Sequence, residues 1–395
     1  MATSSSFDSR KASQIAYAHH PPSPFQPMLN RHSQLFKATK SHPSSTPHTL
    51  DSEAIMLRAY GSGTDLIIDR EREATSHLLL SRHNLAPPLY ARFNNGLLYK
   101  YISGRACCAE DLRHPPITCA IARLLGIWHA TLPIAEAAGT PLQFEHIALY
   151  LRGPGKPQTN LWTVMQKWIG ALPSRTTSEQ ERNARLAGEV EFATQLLGNT
   201  PGLNADGEYI LGHCDLLSGN VIILPDNDSK TTSVSFIDYE YATPVPAAFD
   251  LANHFAEWGG FECDYTVLPT RSQRRAFIRE YVRSFRSHSP PQSHAHKTQS
   301  NSCNTDEEAD IARLMAEVDA FRGIPGLYWG IWALIQAQIS EIEFDYSAYA
   351  EVRLGEYWDW KGCVKGGRDG EGKEGREMGT GTGTSVREKR LALEE

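Results

Sequence analysis

Apolar and polar positions follow a strand-like pattern early in the chain and a helical spacing later. Ala54-Ile-Met-Leu-Arg-Ala-Tyr60 reads as a strand, Gly61-Ser-Gly63 as a turn, and Leu66-Ile-Ile68 leads into a helix capped by Asp69 that carries Glu73. Leu89-Tyr-Ala-Arg-Phe93 and Leu97-Leu-Tyr-Lys-Tyr-Ile102 flank Asn94-Asn-Gly96, a hairpin signal because Asn-Gly tolerates the positive φ of tight turns. From Ile117 on, Ile121, Leu124, Leu125, Trp128 and Leu132 keep helical spacing, and further helical patterns follow around 161–172 and 179–197. A β-rich island interrupts them: Tyr209–Leu211, Val221–Leu224 and Ser233–Ile237, with Pro225-Asp-Asn-Asp228 as a turn. The longest uncharged apolar stretch, Gly323 to Ile339, falls short of the roughly 20 residues of a bilayer span and contains Gln336 and Gln338, so it reads as a buried helix.

This pattern predicts an α+β chain with a partial, β-rich small lobe over 51–103 and a mainly helical large lobe over 104–362 that carries the β-island. Three segments read as unstructured: residues 1–50, a His/Ser/Pro/Asn-rich insertion over about 287–306, and the Gly/Glu/Lys-rich tail over 363–395.

Composition narrows the function classes. The chain is long enough, at 395 residues with 41% hydrophobic, to bury a core around a cleft, and its net charge of -7 argues against nucleic acid or an anionic membrane as partner. Cysteines 107, 108, 119, 214, 263, 303 and 363 have neither paired metal-ligand spacing nor the density of a disulfide scaffold, which fits a reducing, cytoplasmic location. The first 50 residues pair Arg10, Lys11, Arg31, Lys37 and Lys40 with the single acid Asp8, which leaves an organellar transit sequence as the alternative to a disordered tail.

The chemistry sits in the β-island. His213-Cys-Asp215-Leu-Leu-Ser-Gly-Asn220 lies between two strands, a scaffold suited to catalysis. A phosphotransferase needs a carboxylate to orient and deprotonate the acceptor hydroxyl and oxygen ligands to hold magnesium against nucleotide phosphates. Asp215 suits the first role and Asn220 the second. The hairpin Val221–Ile237 returns the chain so that Asp238 lands near Asn220 and shares the metal, Glu240 supports the same metal or its surroundings, and His213 braces the loop. On spacing alone Arg58 and Glu73 read as a solvated charge pair, and Asp250 as either a structural or a functional acid.

Ile210–Leu224 and Phe236-Ile-Asp-Tyr-Glu-Tyr241 resemble the catalytic loop and metal motif of the choline/ethanolamine kinase family. The resemblance extends through Ala248-Phe-Asp-Leu-Ala-Asn-His-Phe-Ala-Glu-Trp258 and Leu327-Tyr-Trp-Gly-Ile-Trp-Ala-Leu-Ile-Gln336 to Ile342-Glu-Phe-Asp345. It implies a protein-kinase-like bilobal fold, with Asp215 as general base, Asn220 and Asp238 as magnesium ligands and Glu240 as an acidic neighbour. It also implies Arg58 as the phosphate-contacting strand residue, Glu73 as its ion-pair partner, and Lys100 to Ile102 as the hinge that holds the adenine of ATP. Tyr241, Glu257, Trp258, Tyr265, Trp329, Trp332 and Tyr349 match the family's substrate pocket or its margin. A cationic head needs such carboxylates and aromatic faces.

No single residue separates choline from ethanolamine. Arg58–Arg70 and Glu343-Phe-Asp-Tyr346 resemble the ethanolamine-preferring branch, which implies phosphorylation of ethanolamine at the start of the CDP-ethanolamine route to phosphatidylethanolamine, with a choline or related amine kinase as the alternative. The sequence departs from the family in having no glycine before Gly61, where a Gly-containing turn upstream of the basic strand covers the phosphates. The family's first two strands are therefore expected to be missing and residues 1–50 to be replaced or mis-assembled, which keeps a non-catalytic binding protein open as a reading of another class. Oligomeric state is not legible, and a homodimer is one of its options.

Overall fold

The computed structural model describes residues 33–39, 51, 53–61, 64–132, 159–203, 209–225, 231–289, 303–369 and 385–394. The chain divides into two compact units, one of Met1–Leu124, Asp215–Ala242 and Ile339–Phe344, the other of Leu125–Cys214, Thr243–Gln338 and Asp345–Glu395.

The first unit is built on β1 (Ser33–Ala38), β2 (Ile55–Tyr60), β3 (Leu89–Phe93) and β4 (Gly96–Lys100), an antiparallel sheet in the order β1-β2-β4-β3. Between β2 and β3 runs α1 (Arg70–Arg82), and the Asp69 side chain accepts from the Arg72 N–H as the spacing predicts. β1 corrects the sequence reading. Ser33–Ala38 pairs along its whole length with β2, Leu35 opposite Arg58, in a stretch whose composition predicts an unstructured tail and a missing strand. Its Gln-Leu-Phe-Lys run places two apolar residues side by side and shows no period-2 alternation, and Pro, Ser and His flank it, so the sequence carries little strand signal.

The Asn94-Asn95 hairpin forms, but none of Asn94, Asn95 and Gly96 has a positive φ. Gly96 is needed for a different reason: a Cβ there would lie 2.2 Å from the Arg58 carbonyl oxygen on the neighbouring strand. A second small sheet joins β5 (Arg105–Ala106), β7 (Val221–Ile223) and β8 (Val234–Phe236). This pairing places Asp215–Ala242 in the sheet-bearing unit, where the order of elements along the sequence had assigned it to the helical one.

The second unit contains α3 (Leu161–Ala171), α4 (Thr177–Leu197), α5 (Ala247–Ala256), α6 (Arg271–His288), α7 (Cys303–Phe321), α8 (Ile324–Ile339), α9 (Tyr346–Asp369) and α10 (Val386–Ala392), with β6 (Ile210–Gly212) paired to β9 (Thr243–Val245); α2 (Pro115–Thr131) leads into it. Residues 324–336 of α8 are all buried, as predicted. Trp168, Phe249, Phe277, Phe321 and Tyr328 form the fully buried core, Trp168 and Tyr328 with ring centroids 4.7 Å apart. Each such side chain contributes roughly 1.5–3 kcal/mol by leaving water.

Two further boundaries move. Helices α6 and α7 extend into the 287–306 stretch from both sides, and within 363–395, expected to be structureless, α9 runs to Asp369 and α10 forms. The remainder of those segments, most of residues 1–50, Ser62-Gly63 and most of the 225–228 turn lie outside the described residues.

Candidate active site

The loop that carries Asp215 is fixed before Asp215 is reached. On α2, the Trp128 indole N–H donates to the Leu211 carbonyl at 2.7 Å. Gly212 admits the Asp250 carboxyl carbon to 3.2 Å of where its own Cβ would stand. Asp250, on α5, then accepts from the backbone N–H of His213 at 2.9 Å, from that of Cys214 at 2.7 Å and from His129 Nε2 at 3.0 Å. Asn253, one turn on, donates to the Cys214 carbonyl at 3.0 Å. Cys214 sits at φ 63°, a left-handed conformation these bonds impose on a residue that has a Cβ. Burial alone would raise the Asp250 carboxyl, but the His129 bond and the backbone donors outweigh it and hold the group below its ordinary range. Asp250 is thus the anchor of the loop. His213 is fully buried, its ring centroid 5.6 Å from that of Trp128.

Past Cys214 the chain enters the first unit. Asn220, at the end of a 3-10 turn over Ser218–Asn220, donates from Nδ2 to Asp215 Oδ2 at 3.1 Å and to the Asp215 carbonyl at 2.7 Å. The β7–β8 hairpin then returns, and the Ile237 N–H donates to the Asn220 carbonyl at 3.0 Å, so Asp238 follows immediately beside Asn220. Asp238 takes φ 67°, which a short polar side chain tolerates.

Arg58 collects the acids. Its guanidinium lies 3.3 Å from Glu73 and 2.6 Å from Asp238 and also pairs with Glu240; Arg70 pairs with Glu73 at 2.9 Å and with Glu240 at 3.3 Å. The expected Arg58–Glu73 pair is present, and Glu240 pairs with both arginines. Burial raises the Glu240 carboxyl while Arg58 pulls it down. Two guanidiniums face three carboxyl groups, of which Glu240 is pushed up to about 8 by burial, so near pH 7 the Glu73 and Asp238 carboxylates balance the two arginines. In the segment expected to hold the adenine, the backbone N–H groups of Lys100 and Tyr101 donate to the Pro88 and Ala54 carbonyls at 3.0 Å, and the half-buried Ile102 follows them.

The second unit holds most of the expected substrate residues. Trp329 and Trp332 meet edge to face at 5.4 Å, and Trp332 meets Tyr346 at 5.8 Å. The Trp329 indole N–H donates to Asn253 Oδ1 at 2.8 Å, so the aromatic group is tied to the residue that holds the Cys214 carbonyl. Glu257 accepts from Arg353 at 3.4 Å, Glu356 lies 3.5 Å from the same guanidinium, and Tyr265 is hydrogen-bonded to Glu356. Tyr349 lies beneath Arg353, its ring centroid 5.9 Å from the guanidinium carbon. Trp258 is buried as Trp329 and Trp332 are: its N–H donates to His254 Nε2 at 3.4 Å, and the His254 ring packs on Phe255 and Phe277. Tyr241 is buried in the first unit.

A family model described as choline/ethanolamine kinase matches residues 32–358. The chain belongs to the choline/ethanolamine kinase family. Mouse (Mus musculus) ethanolamine kinase 1 is 31% identical over 319 residues, 78% of this chain and 77% of that one. Probable choline kinase 3 of Arabidopsis thaliana is 29% identical over 77% of each chain. The solved structure of an ethanolamine kinase from Plasmodium vivax superposes with a TM-score of 0.64 at 26% identity, covering 82% of this chain and 79% of that one. The fold is protein-kinase-like. The family match begins one residue before β1, so the strand missed in the sequence lies within the family's extent, and it ends inside α9, leaving α10 beyond it.

Reading of the sequence missed Arg70, His129, Asn253, Tyr346, Arg353 and Glu356. Arg70 stands three residues before Glu73 and Arg353 three before Glu356, a helical pairing signal. For His129, a histidine on an apolar helix face, the sequence offers no sign of its carboxylate partner 121 residues away.

Proposed function

We propose that this chain is an ethanolamine kinase, transferring the γ-phosphate of ATP to the hydroxyl of ethanolamine to give phosphoethanolamine, for use in phosphatidylethanolamine synthesis in the cytoplasm. The observation that carries it is the Asp215–Asn220 contact on a loop pinned from Asp250 and Asn253, since phosphoryl transfer requires little of the protein beyond positioning and charge. Among the described residues no helix is long and apolar enough to cross a membrane. The mouse relative and the solved Plasmodium vivax structure support ethanolamine, and the Arabidopsis relative supports the choline alternative.

In this reading Asn220 fixes one Asp215 oxygen, and the carboxylate takes the hydroxyl proton as the acceptor oxygen bonds to the γ-phosphorus and the bond to the ADP oxygen breaks. The donors near Asp215 fit magnesium: Asp238 offers a carboxylate and Asn220 a carboxamide oxygen, its Nδ2 being engaged by Asp215. A magnesium ion held with a nucleotide takes one or two protein ligands and several phosphate oxygens. Bound magnesium would neutralise charge on the transferring phosphate.

Purified protein supplied with Mg-ATP and ethanolamine, choline or no acceptor is expected to form phosphoethanolamine, with kcat/KM for ethanolamine above that for choline. Asp215→Asn should lower kcat by about 100- to 10,000-fold, the range for a lost general base. Wild-type turnover in that variant would remove Asp215 from the role, and choline preference would move the chain to the alternative choline kinase reading.

A further inference from the structure

The Glu257–Arg353–Glu356 cluster has a charge imbalance that the fold leaves in place. The three residues are 8%, 1% and 4% exposed, so water does little to screen them. Arg353 donates from Nη2 to Glu257 at 3.4 Å, while its Nε faces Glu356 Oε2 at 3.5 Å without a hydrogen bond, and neither of those two atoms has another hydrogen-bond partner among the described residues. Its Nη1 lies 3.9 Å from Cys263 Sγ. Cys263, Tyr265 and Tyr349 complete the surroundings, and burial raises all three, so thiol and phenols stay neutral near pH 7 and cancel nothing. Two carboxylates against one guanidinium leave a net charge of -1, and burial raises the Glu257 carboxyl against the pull of Arg353, so the unmatched charge is one that a proton relieves where no cation does.

A buried charge is costly unless it is paired, so such a site takes up either a proton or a cation. We propose that Glu356 is the positioning residue for the amino-alcohol head: by drawing on the Nε edge of Arg353 it keeps Arg353 from neutralising Glu257, so that the site is one positive charge short until a substrate ammonium enters. Without Glu356 the cluster is a neutral Glu257–Arg353 pair with no deficit for the substrate to fill. A primary ammonium suits it better than a quaternary one, because only the former donates hydrogen bonds to a carboxylate oxygen that lacks them. The inference rests on the amino-alcohol kinase reading.

Steady-state kinetics of wild type, Glu356→Gln and Glu356→Asp, with ethanolamine and ATP varied in turn, test it alongside direct calorimetric binding of ethanolamine and urea denaturation. Glu356→Gln, close in shape, is expected to raise the ethanolamine KM and Kd by about 10- to 100-fold, a size seen when one member of a buried charged group is removed, with kcat and the ATP KM within about 2-fold. Glu356→Asp should recover part of the loss. If the wild type turns over ethanolamine and Glu356→Gln leaves its KM and Kd unchanged, the proposal is wrong while the kinase reading stands. A rise in both KM values together with a fall in kcat and stability would make Glu356 a structural clamp and overturn it as well. A wild type that phosphorylates no amino-alcohol would remove the functional reading and this inference together.

Discussion

Cys214 holds its left-handed conformation at a cost of about 1–3 kcal/mol. Against it stand the bond from the Cys214 N–H to the Asp250 carboxylate, of the charge-assisted kind worth about 1.5–3 kcal/mol, and the bond from Asn253 to the Cys214 carbonyl. The bonds win, so the shape of the loop is set by α5. Asp250→Asn keeps the size of the side chain but cannot accept at both oxygens. It should cost about 2–4 kcal/mol of stability and lower kcat by roughly 10- to 100-fold through misplacement of Asp215. The pH dependence has a definite sign. The folded-state pKa of Asp250 is depressed, so its stabilisation is complete above the unfolded value of 3.8 and fades as pH falls through the lower folded value. Urea titrations from about pH 5 down to about pH 2 should therefore show a steeper acid-side loss in wild type than in Asp250→Asn, and parallel curves would count against the anchor role.

At the scale of elements, α8 and α9 illustrate what a sequence pattern carries and what it does not. The buried helix over 324–339 is legible because sixteen residues without a charge have nowhere else to go. Its glycines are not, since their meaning depends on what lies opposite. A Cβ at Gly323 would meet Trp360 at 2.4 Å, one at Gly326 the Arg353 carbonyl at 2.4 Å and one at Gly330 Leu354 at 2.7 Å, so a single face of small residues lets α9 come close. The same holds for the site: His-x-Asp-x4-Asn is local in sequence and readable, whereas Arg353 and Glu356 acquire a role only once α9 lies against the turn that carries Glu257. β1 was missed for the related reason that a six-residue edge strand is defined by its pairing with β2 more than by its own alternation. Gly326→Ala should push α9 away at a point of backbone contact, costing about 1–3 kcal/mol and raising the ethanolamine KM more than the ATP KM. Equal effects on both would separate helix spacing from the ammonium site.

At the scale of the whole molecule, the question is what α10 does, lying outside the stretch that the family model matches. It is held by side-chain to backbone bonds in both directions: Arg390 donates to the Leu268 carbonyl at 2.9 Å, and Arg274 on α6 donates to the Leu391 carbonyl at 3.0 Å. The Arg271 N–H reaches the Leu393 carbonyl at 2.7 Å, and Glu388 pairs with Arg322 at 2.7 Å. Arg274 is the sensitive member. It is 4% exposed and shared among the Pro269 and Leu391 carbonyls and Asp319, and burial already presses its guanidinium below its usual pKa. Deleting 385–395 removes one of its acceptors and opens the apolar contact of Leu391, but it also admits water, which replaces part of what is lost. A net loss of about 2–4 kcal/mol follows, visible as a lower urea midpoint. Leu268, which loses its Arg390 bond, stands three residues after Tyr265, so the same truncation should loosen the segment beside Glu356 and raise the ethanolamine KM by about 2- to 5-fold, the effect of one lost exposed-edge contact, with ATP KM unchanged. A truncated chain with the wild-type urea midpoint and the wild-type ethanolamine KM would show that α10 rests on the helical unit without supporting it.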